Sequence, residues 1–347
     1  MGKTVQAIAT LNERDYESVL VVCPASLKLN WKREFLKWGG EPPYITIIND
    51  GKQELNLLRA GVFIINYDLL CKYPQVLTHD WNYVVMDECH YLKNPKAKRT
   101  KCALKLKGQI IALTGTLIMN RPIEAFPILN RIAPAMFPNW WKFAKEFCDM
   151  KETRFGLDVR GASNLPRLKA LLDRVMIRRL KKDVLPQLPA KRRQIIELPP
   201  TKEMRSVLNR ENMQWGLHED TLQRLVARRD AAKINDEEEE YRTAARELRD
   251  AYNVAFSEMA RIRKETALAK LPLCIQHCRD VLEGGVAKVV IFAHHKECVA
   301  NVLEELKEYH PVHLVGDDSL EERQKAVDAF QNDPEARVFV GDRKSVV

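Results

Sequence analysis

Tyr83-Val84-Val85-Met86-Asp87-Glu88-Cys89-His90 decides how this chain is read: a short apolar run ends in two adjacent carboxylates. The run predicts a buried strand, and the acids then fall just beyond its carboxyl end, where parallel sheets carry their functional residues. A strand ending this way is a Walker B arrangement. Its first carboxylate holds Mg²⁺ through water, and its second orients the water that attacks a γ-phosphate. An Asp-Glu pair alone would equally suit a helix N-terminus. It gains weight from Gly2-Lys3-Thr4 at the start of the chain and from Thr114-Gly115-Thr116 after a further apolar run. The three elements in that order point to an ATPase stimulated by nucleic acid.

Outward from this strand, Val19 to Cys23, Tyr44 to Ile48, Val62 to Ile65 and Gln109 to Leu113 read as companion strands of a parallel sheet. Leu27 to Trp38 and Lys96 to Lys107 have helical periodicity, so the pattern is repeated βαβ. Residues 1–133 are expected to form a first lobe. Residues 134–200 change character, with aromatics at Phe137, Trp140, Trp141, Phe143 and Phe147 and a basic stretch from Arg178 to Arg193. The aromatic cluster suits a packed helix pair better than a base-stacking platform. Residues 201–265 read as long polar helices with an acidic run, Asp236 to Glu240, forming either a helical protrusion or a solvated linker pair. A second α/β pattern fills 266–347, with strands expected at Lys288 to Ala293, Val312 to Val315 and Arg337 to Val340. Helices are expected between them at Lys296 to Glu308 and Ser319 to Gln331. The fold class is therefore α/β, with a helical insertion and a second lobe that looks incomplete.

The 347 residues are too many for one compact core, and 46% apolar with 30% charged residues is ordinary for a globular protein. No apolar run approaches the roughly 18 residues of a membrane helix, so no membrane partner is expected. The net charge of +9 favours a polyanion partner. Eight cysteines are scattered, and Cys23, Cys71 and Cys102 lie in apolar runs, which suits a reducing compartment. Cys274 and Cys278 lack a second Cys/His pair at ligand spacing and read as one turn of a packed helix.

A phosphate loop needs backbone N–H groups around the phosphates, a Lys on their oxygens and a hydroxyl on Mg²⁺. Lys3 and Thr4 supply the last two, and Val5 to Ala9 continues as the helix whose positive end faces the anion. Asp87 is the Mg²⁺-side carboxylate and Glu88 the base. His90 either bridges Asp87-Glu88 to Thr114-Gly115-Thr116 or is a satisfied polar residue at a strand end.

Gly2-Lys3-Thr4-Val5-Gln6-Ala7-Ile8-Ala9, Val22-Cys23-Pro24-Ala25-Ser26-Leu27 with Asn30-Trp31, and Asp87-Glu88-Cys89-His90-Tyr91-Leu92-Lys93-Asn94 resemble motifs I, Ia and II of the Swi/Snf family of superfamily-two helicase-like ATPases. Leu113-Thr114-Gly115-Thr116 with Asn120-Arg121-Pro122 and Glu124 resembles motif III. Ile177 to Leu185 with Leu188-Pro189-Ala190-Lys191 is similar to the stretch that follows the first lobe. Val290-Ile291-Phe292-Ala293-His294-His295-Lys296 resembles motif IV, in wording closest to the HARP-like annealing-helicase branch. Gly316 with Glu322-Arg323-Gln324 resembles the segment before motif V.

The resemblance implies two RecA-like lobes that clamp ATP and Mg²⁺ and translocate on duplex or forked DNA. By position it makes Glu88, Asp87 and Lys3 catalytic, Gly2, Lys3 and Thr4 nucleotide-binding, and Thr4 and Asp87 the metal side. His90, Thr114, Gly115 and Thr116 would couple nucleotide to DNA. Pro24, Ala25, Ser26, Asn66 and Tyr67 would lie along the DNA backbone, which small groups at strand ends can contact without reading bases. Arg178, Arg179 and Lys181 belong to a stretch with seven Lys or Arg against the single acid Asp183, which touches DNA, braces the lobes or forms a solvated hinge.

The family's adenine-reading segment and first loop glycines are expected before Met1. Motif V and an arginine-bearing motif VI are expected after Val340. The residues after Gly341 do not resemble motif V and match a reading frame through an adapter oligonucleotide. ATP turnover by these 347 residues alone is accordingly expected to be weak or absent. Two other functions share the lobes: a DNA-binding scaffold without catalysis, and the motor subunit of a restriction-type nuclease. A bacterial or viral cytoplasm is the expected compartment, or a nucleus if the source is eukaryotic.

Overall fold

The computed structural model describes residues 2–14, 16–40, 44–153, 156–197, 199–235 and 238–342. Asp236 and Glu237 of the acidic run, and the suspect tail from Arg343 onward, lie outside them. The chain divides into two units, residues 1–191 and 192–347.

The first unit begins with α1 (Lys3–Asn12), β1 (Ser18–Cys23), a 3₁₀ turn (Ala25–Leu27), α2 (Lys28–Trp38), β2 (Ile45–Ile47) and β3 (Gly61–Asn66). It continues with α3 (Tyr67–Leu70), α4 (Pro74–Thr78), β4 (Asp80–Met86), α5 (Lys98–Ala103) and β5 (Lys107–Ala112). Five parallel strands stand in the order β2-β3-β1-β4-β5. All the expected strands are present. The helix expected over 96–107 is shorter, because Lys107 already pairs with Asp80 in the sheet.

Alternate residues of each strand face opposite sides. Val19, Val21 and Cys23 of β1 with Val62, Ile64 and Val85 pack under Ile8, Leu11, Trp31 and Phe35 of α1 and α2. Leu20, Val22, Phe63, Ile65, Val84 and Met86 pack on the other side with Tyr67, Leu70, Val76 and Ala103 of α3, α4 and α5. A sheet covered on both faces explains why its strands read as unbroken apolar runs. In register, Cys23 lies beside Asn66, Val22 beside Met86, and Met86 beside Ala112. The loops that follow four strands therefore leave one edge at the same height.

Beyond the sheet, α6 (Phe126–Ile132), α7 (Trp140–Phe147), the hairpin β6 (Lys151–Thr153) and β7 (Gly156–Asp158), and α8 (Leu165–Leu172) form a satellite. Phe137, Phe143 and Phe147 are buried there against Leu129 and Leu168, so the three phenylalanines of the aromatic cluster are core packing, while Trp140 is half-buried and Trp141 exposed. A single helical turn, α9 (Lys181–Val184), lies in the basic stretch.

The second unit opens with two long helices, α10 (Lys202–Ile234) and α11 (Glu238–Glu283). Arg210 pairs with Glu265, His218 with Glu258 and Arg228 with Glu247, so partner numbers fall as position rises and the helices run antiparallel. The 46-residue α11 runs through the 265/266 boundary expected from sequence and carries Pro272 inside it. Then follow β8 (Val289–Ala293), α12 (Lys296–Glu305), β9 (Val312–Leu314), α13 (Leu320–Asn332) and β10 (Val338–Asp342). The three strands are parallel in the order β8-β10-β9. Ser319 and Glu322 close a capping box at the start of α13.

Both units are thus α/β, with parallel sheets flanked by helices. None of the described helices is long and apolar enough to cross a membrane.

Candidate active site

The site is built at the level edge of the first sheet. Strand β4 delivers Asp87, which is 5% exposed and held at four atoms. Its N–H donates to the Val22 carbonyl at 2.8 Å, and its carbonyl accepts the Tyr67 hydroxyl at 2.7 Å. Its Oδ1 accepts the Glu88 N–H at 2.9 Å, and its Oδ2 accepts the Trp31 indole N–H at 2.9 Å. Burial pushes the Asp87 carboxyl up from its ordinary range, and the hydrogen bonds from Trp31 and Glu88 pull it back.

Glu88 turns the chain with a left-handed backbone, φ 47° and ψ 50°. This conformation is uncommon for a residue with a side chain. Next, the Cys89 N–H donates to the Leu113 carbonyl at 2.9 Å, binding this turn to the end of β5. Burial, helped by the two neighbouring acids, pushes the Cys89 thiol up to about 12, which disfavours the thiolate.

The Glu88 carboxylate collects the other motifs. Oε1 accepts from Lys3 Nζ at 3.3 Å. Oε2 accepts the Gly115 N–H at 3.4 Å and lies 3.1 Å from His90 Nδ1. The same imidazole nitrogen is 3.2 Å from Thr114 Oγ1. Thr114 Oγ1 in turn accepts the Thr116 N–H at 3.1 Å, which shapes the turn around Gly115. His90 Nδ1 thus lies between the Glu88 carboxylate and the Thr114 hydroxyl.

Gly2 caps α1 in the left-handed conformation, with nothing near the position a Cβ would occupy. No side chain caps this helix and no acid sits in its first turn. Its leading N–H groups therefore face outward beside Lys3 and the half-buried Thr4, the layout an anion requires.

The donors fit Mg²⁺. A Thr4 hydroxyl and an Asp87 carboxylate are hard oxygen ligands. Among the described residues no cluster of three or more His, Cys, Asp or Glu could cage a metal alone. Mg²⁺ suits such a sparse set because it keeps waters and phosphate oxygens in its shell.

The residues expected on DNA divide. Pro24, Ala25 and Ser26 form an accessible turn at the end of β1, closed by the Leu27 N–H on the Pro24 carbonyl at 3.0 Å. Arg178, Arg179 and Lys181 are exposed. Asn66 is buried, and the side chain of Tyr67, 2% exposed, is directed inward, where its hydroxyl donates to the Asp87 carbonyl.

Sequence reasoning gave Trp31 and Lys28 no function. Trp31 and Phe35 are spaced as an ordinary core pair, and both are indeed buried. The signal that could have marked Trp31 is its indole N–H, which needs an acceptor once buried. Lys28, only 2% exposed, donates to the Ile48 carbonyl at 2.9 Å and to Asn49 Oδ1 at 3.0 Å. Cys71 and Cys102, whose apolar settings suited a reducing compartment, are joined in a disulfide across 5.6 Å between Cα atoms. Cys274 and Cys278 lie one turn apart in α11, as expected.

Compared with known proteins, residues 1–258 match the SNF2-related domain. The SWI/SNF-related matrix-associated actin-dependent regulator of chromatin subfamily A-like protein 1 of Xenopus laevis is 32% identical over 346 residues, covering 95% of this chain and 32% of the relative. The DNA annealing helicase and endonuclease ZRANB3 of Mus musculus is 31% identical over 361 residues, covering 98% of this chain and 31% of the relative. The chain thus spans about a third of the length of these curated relatives. Among solved structures, the Sulfolobus solfataricus SWI2/SNF2 ATPase core in complex with dsDNA aligns with a TM-score of 0.48 at 22% identity, covering 98% of this chain and 71% of that one.

Proposed function

The chain belongs to the SNF2-related domain family, and from that premise we propose that it is the motor part of a DNA-dependent ATPase that translocates on duplex or forked DNA. One observation carries this reading: Lys3, His90 and Gly115, from three separate motifs, all meet the Glu88 carboxylate. A scaffold that had lost catalysis would have no physical reason to keep a cation, an imidazole and a coupling turn on one carboxylate.

In this reading the α1 N-terminus and Lys3 hold the phosphates, and Thr4 and Asp87 hold Mg²⁺. The metal, when bound, neutralises charge developing on the transferred phosphoryl group. Glu88 orients the attacking water and accepts its proton. His90, Thr114 and Thr116 relay the state of that carboxylate to the rim, where Pro24 to Ser26 meet the DNA backbone. The exposed Arg178, Arg179 and Lys181 add electrostatic attraction to phosphates. The printed name of the ZRANB3 relative, a DNA annealing helicase, supports a role on duplex or forked DNA. The compartment follows the DNA: a bacterial or viral-host cytoplasm, or a nucleus.

The test is ATP hydrolysis with and without duplex DNA, by this chain and by versions lengthened at both ends, alongside Glu88→Gln. Duplex-stimulated turnover that Glu88→Gln abolishes is the expected result. A lengthened protein that binds duplex and never hydrolyses ATP would replace the motor with the scaffold.

A further inference from the structure

Trp31 sits one turn into α2 and is wholly buried, with its indole N–H directed at Asp87 Oδ2 at 2.9 Å. A buried indole needs some acceptor, and many in the interior would serve. Here the acceptor is one oxygen of the carboxylate that the proposed function assigns to Mg²⁺, while the Glu88 amide fixes the other. The backbone of Asp87 is fixed as well, by Val22 and Tyr67. The carboxylate can therefore swing about its own side-chain bonds only by breaking the Trp31 or Glu88 contact. The Glu88 amide belongs to the neighbouring residue and moves with Asp87. Trp31 is the independent restraint, anchored among Val21, Val62 and Phe35.

The two aromatic contacts also come from opposite faces of the sheet. Trp31 packs on the side of α1 and α2, and Tyr67 on the side of α3 to α5. α2 follows directly from the Pro24–Leu27 turn that the proposed function sets against DNA. A group that orients a metal-binding carboxylate from behind is worth substantial affinity, because the free carboxylate otherwise samples orientations that do not meet the ion.

We infer that Trp31 is a positioning residue for the nucleotide site, holding the Asp87 carboxylate in the orientation that Mg²⁺ uses. The inference rests on the nucleotide-binding reading above. It makes α2 part of the proposed nucleotide site through its hydrogen bond to Asp87.

The test uses Trp31→Phe, which removes the donor, and replacement of Trp31 by 3-benzothienylalanine, which keeps the ring shape and puts sulfur where the N–H stood. Thermal melts by circular dichroism establish that each is folded, and the isostere serves if the Phe variant does not fold. Binding of the fluorescent analogue mant-ATP is then titrated with Mg²⁺, and separately in EDTA. Both variants are expected to bind the analogue in EDTA as the unaltered chain does. Each should need about tenfold more Mg²⁺ for half-saturation. A loss caused only by disturbed packing would lower binding in EDTA too, and would overturn the inference. So would folded variants with unchanged Mg²⁺ dependence. If the unaltered chain itself shows no Mg²⁺-dependent binding, the nucleotide-site reading falls, and the positioning role with it.

Discussion

Lys3 Nζ stands 3.3 Å from Glu88 Oε1, so the cation that would meet a phosphate is paired with the carboxylate that would activate water. Without nucleotide each holds the other in place. In the proposed function, a phosphate entering at the α1 N-terminus would draw Lys3 toward itself and leave Glu88 free to take a water. Glu88→Gln removes the charge that competes for Lys3 and also removes the base. Turnover in the lengthened protein is expected to fall by at least about 100-fold. Affinity of this chain for a non-hydrolysable ATP analogue is expected to stay equal or rise. Calorimetry showing clearly weaker binding would mean that Glu88 helps to hold the nucleotide.

Tyr67→Phe separates a brace from a DNA contact. Loss of the hydroxyl leaves the buried Asp87 carbonyl without that donor, which costs about 1 kcal/mol of stability in urea melts. Duplex affinity by fluorescence anisotropy should remain within about twofold, because a hydroxyl directed inward has no phosphate to lose. A large fall in affinity with little change in stability would restore Tyr67 to the DNA surface.

Lys28 ties the start of α2 to the chain after β2. Lys28→Met should destabilise the first unit by about 2 kcal/mol, since the Ile48 carbonyl and Asn49 lose a charged donor. Burial lowers the Lys28 pKa, so the unfolded chain holds this proton more tightly than the folded one. The resulting cost is in full force below the lowered value and fades as pH rises toward the ordinary lysine value of about 10.4. The stability advantage of the unaltered chain over Lys28→Met should therefore widen as pH rises toward that ordinary value. A constant or shrinking gap in urea melts would show that Lys28 is not desolvated.

The Cys71–Cys102 pairing gives a count. Denatured without reductant, the chain should present six reactive thiols, and eight after reduction. Mass spectrometry should recover the peptides around residues 71 and 102 linked. Eight thiols before reduction in protein purified without reductant would dismiss the bridge.

Much of this was legible in the sequence because parallel sheets with two covered faces leave two strong marks. Their strands are unbroken apolar runs, as in Val19 to Cys23, and their chemistry follows directly at the strand ends, as in Asp87 and Thr114. What stayed hidden depends on contacts between residues far apart in the chain. Trp31 and Tyr67 look like core aromatics because they are core aromatics; only their one polar atom each, directed at a residue 56 or 20 positions away, gives them a further role. Cys71 and Cys102 are 31 residues apart, and spacing alone does not reveal that α5 brings them together. The continuity of α11 across residues 265 and 266 was hidden for a different reason: α11 changes from polar to partly apolar where it begins to pack on the second sheet, and a change in composition within one helix resembles a change of element.

The left-handed backbone at Glu88 sets fold and chemistry against each other at a single codon. Glycine or asparagine would occupy that conformation with less strain, by about 1 kcal/mol. A selection that rewards yield, heat tolerance or protease resistance weighs that strain only against the Lys3 and Gly115 contacts and is blind to the water-activating role proposed for Glu88. Position 88 is thus a place where a laboratory lineage improved for robustness can lose its trade while every structural assay reports progress.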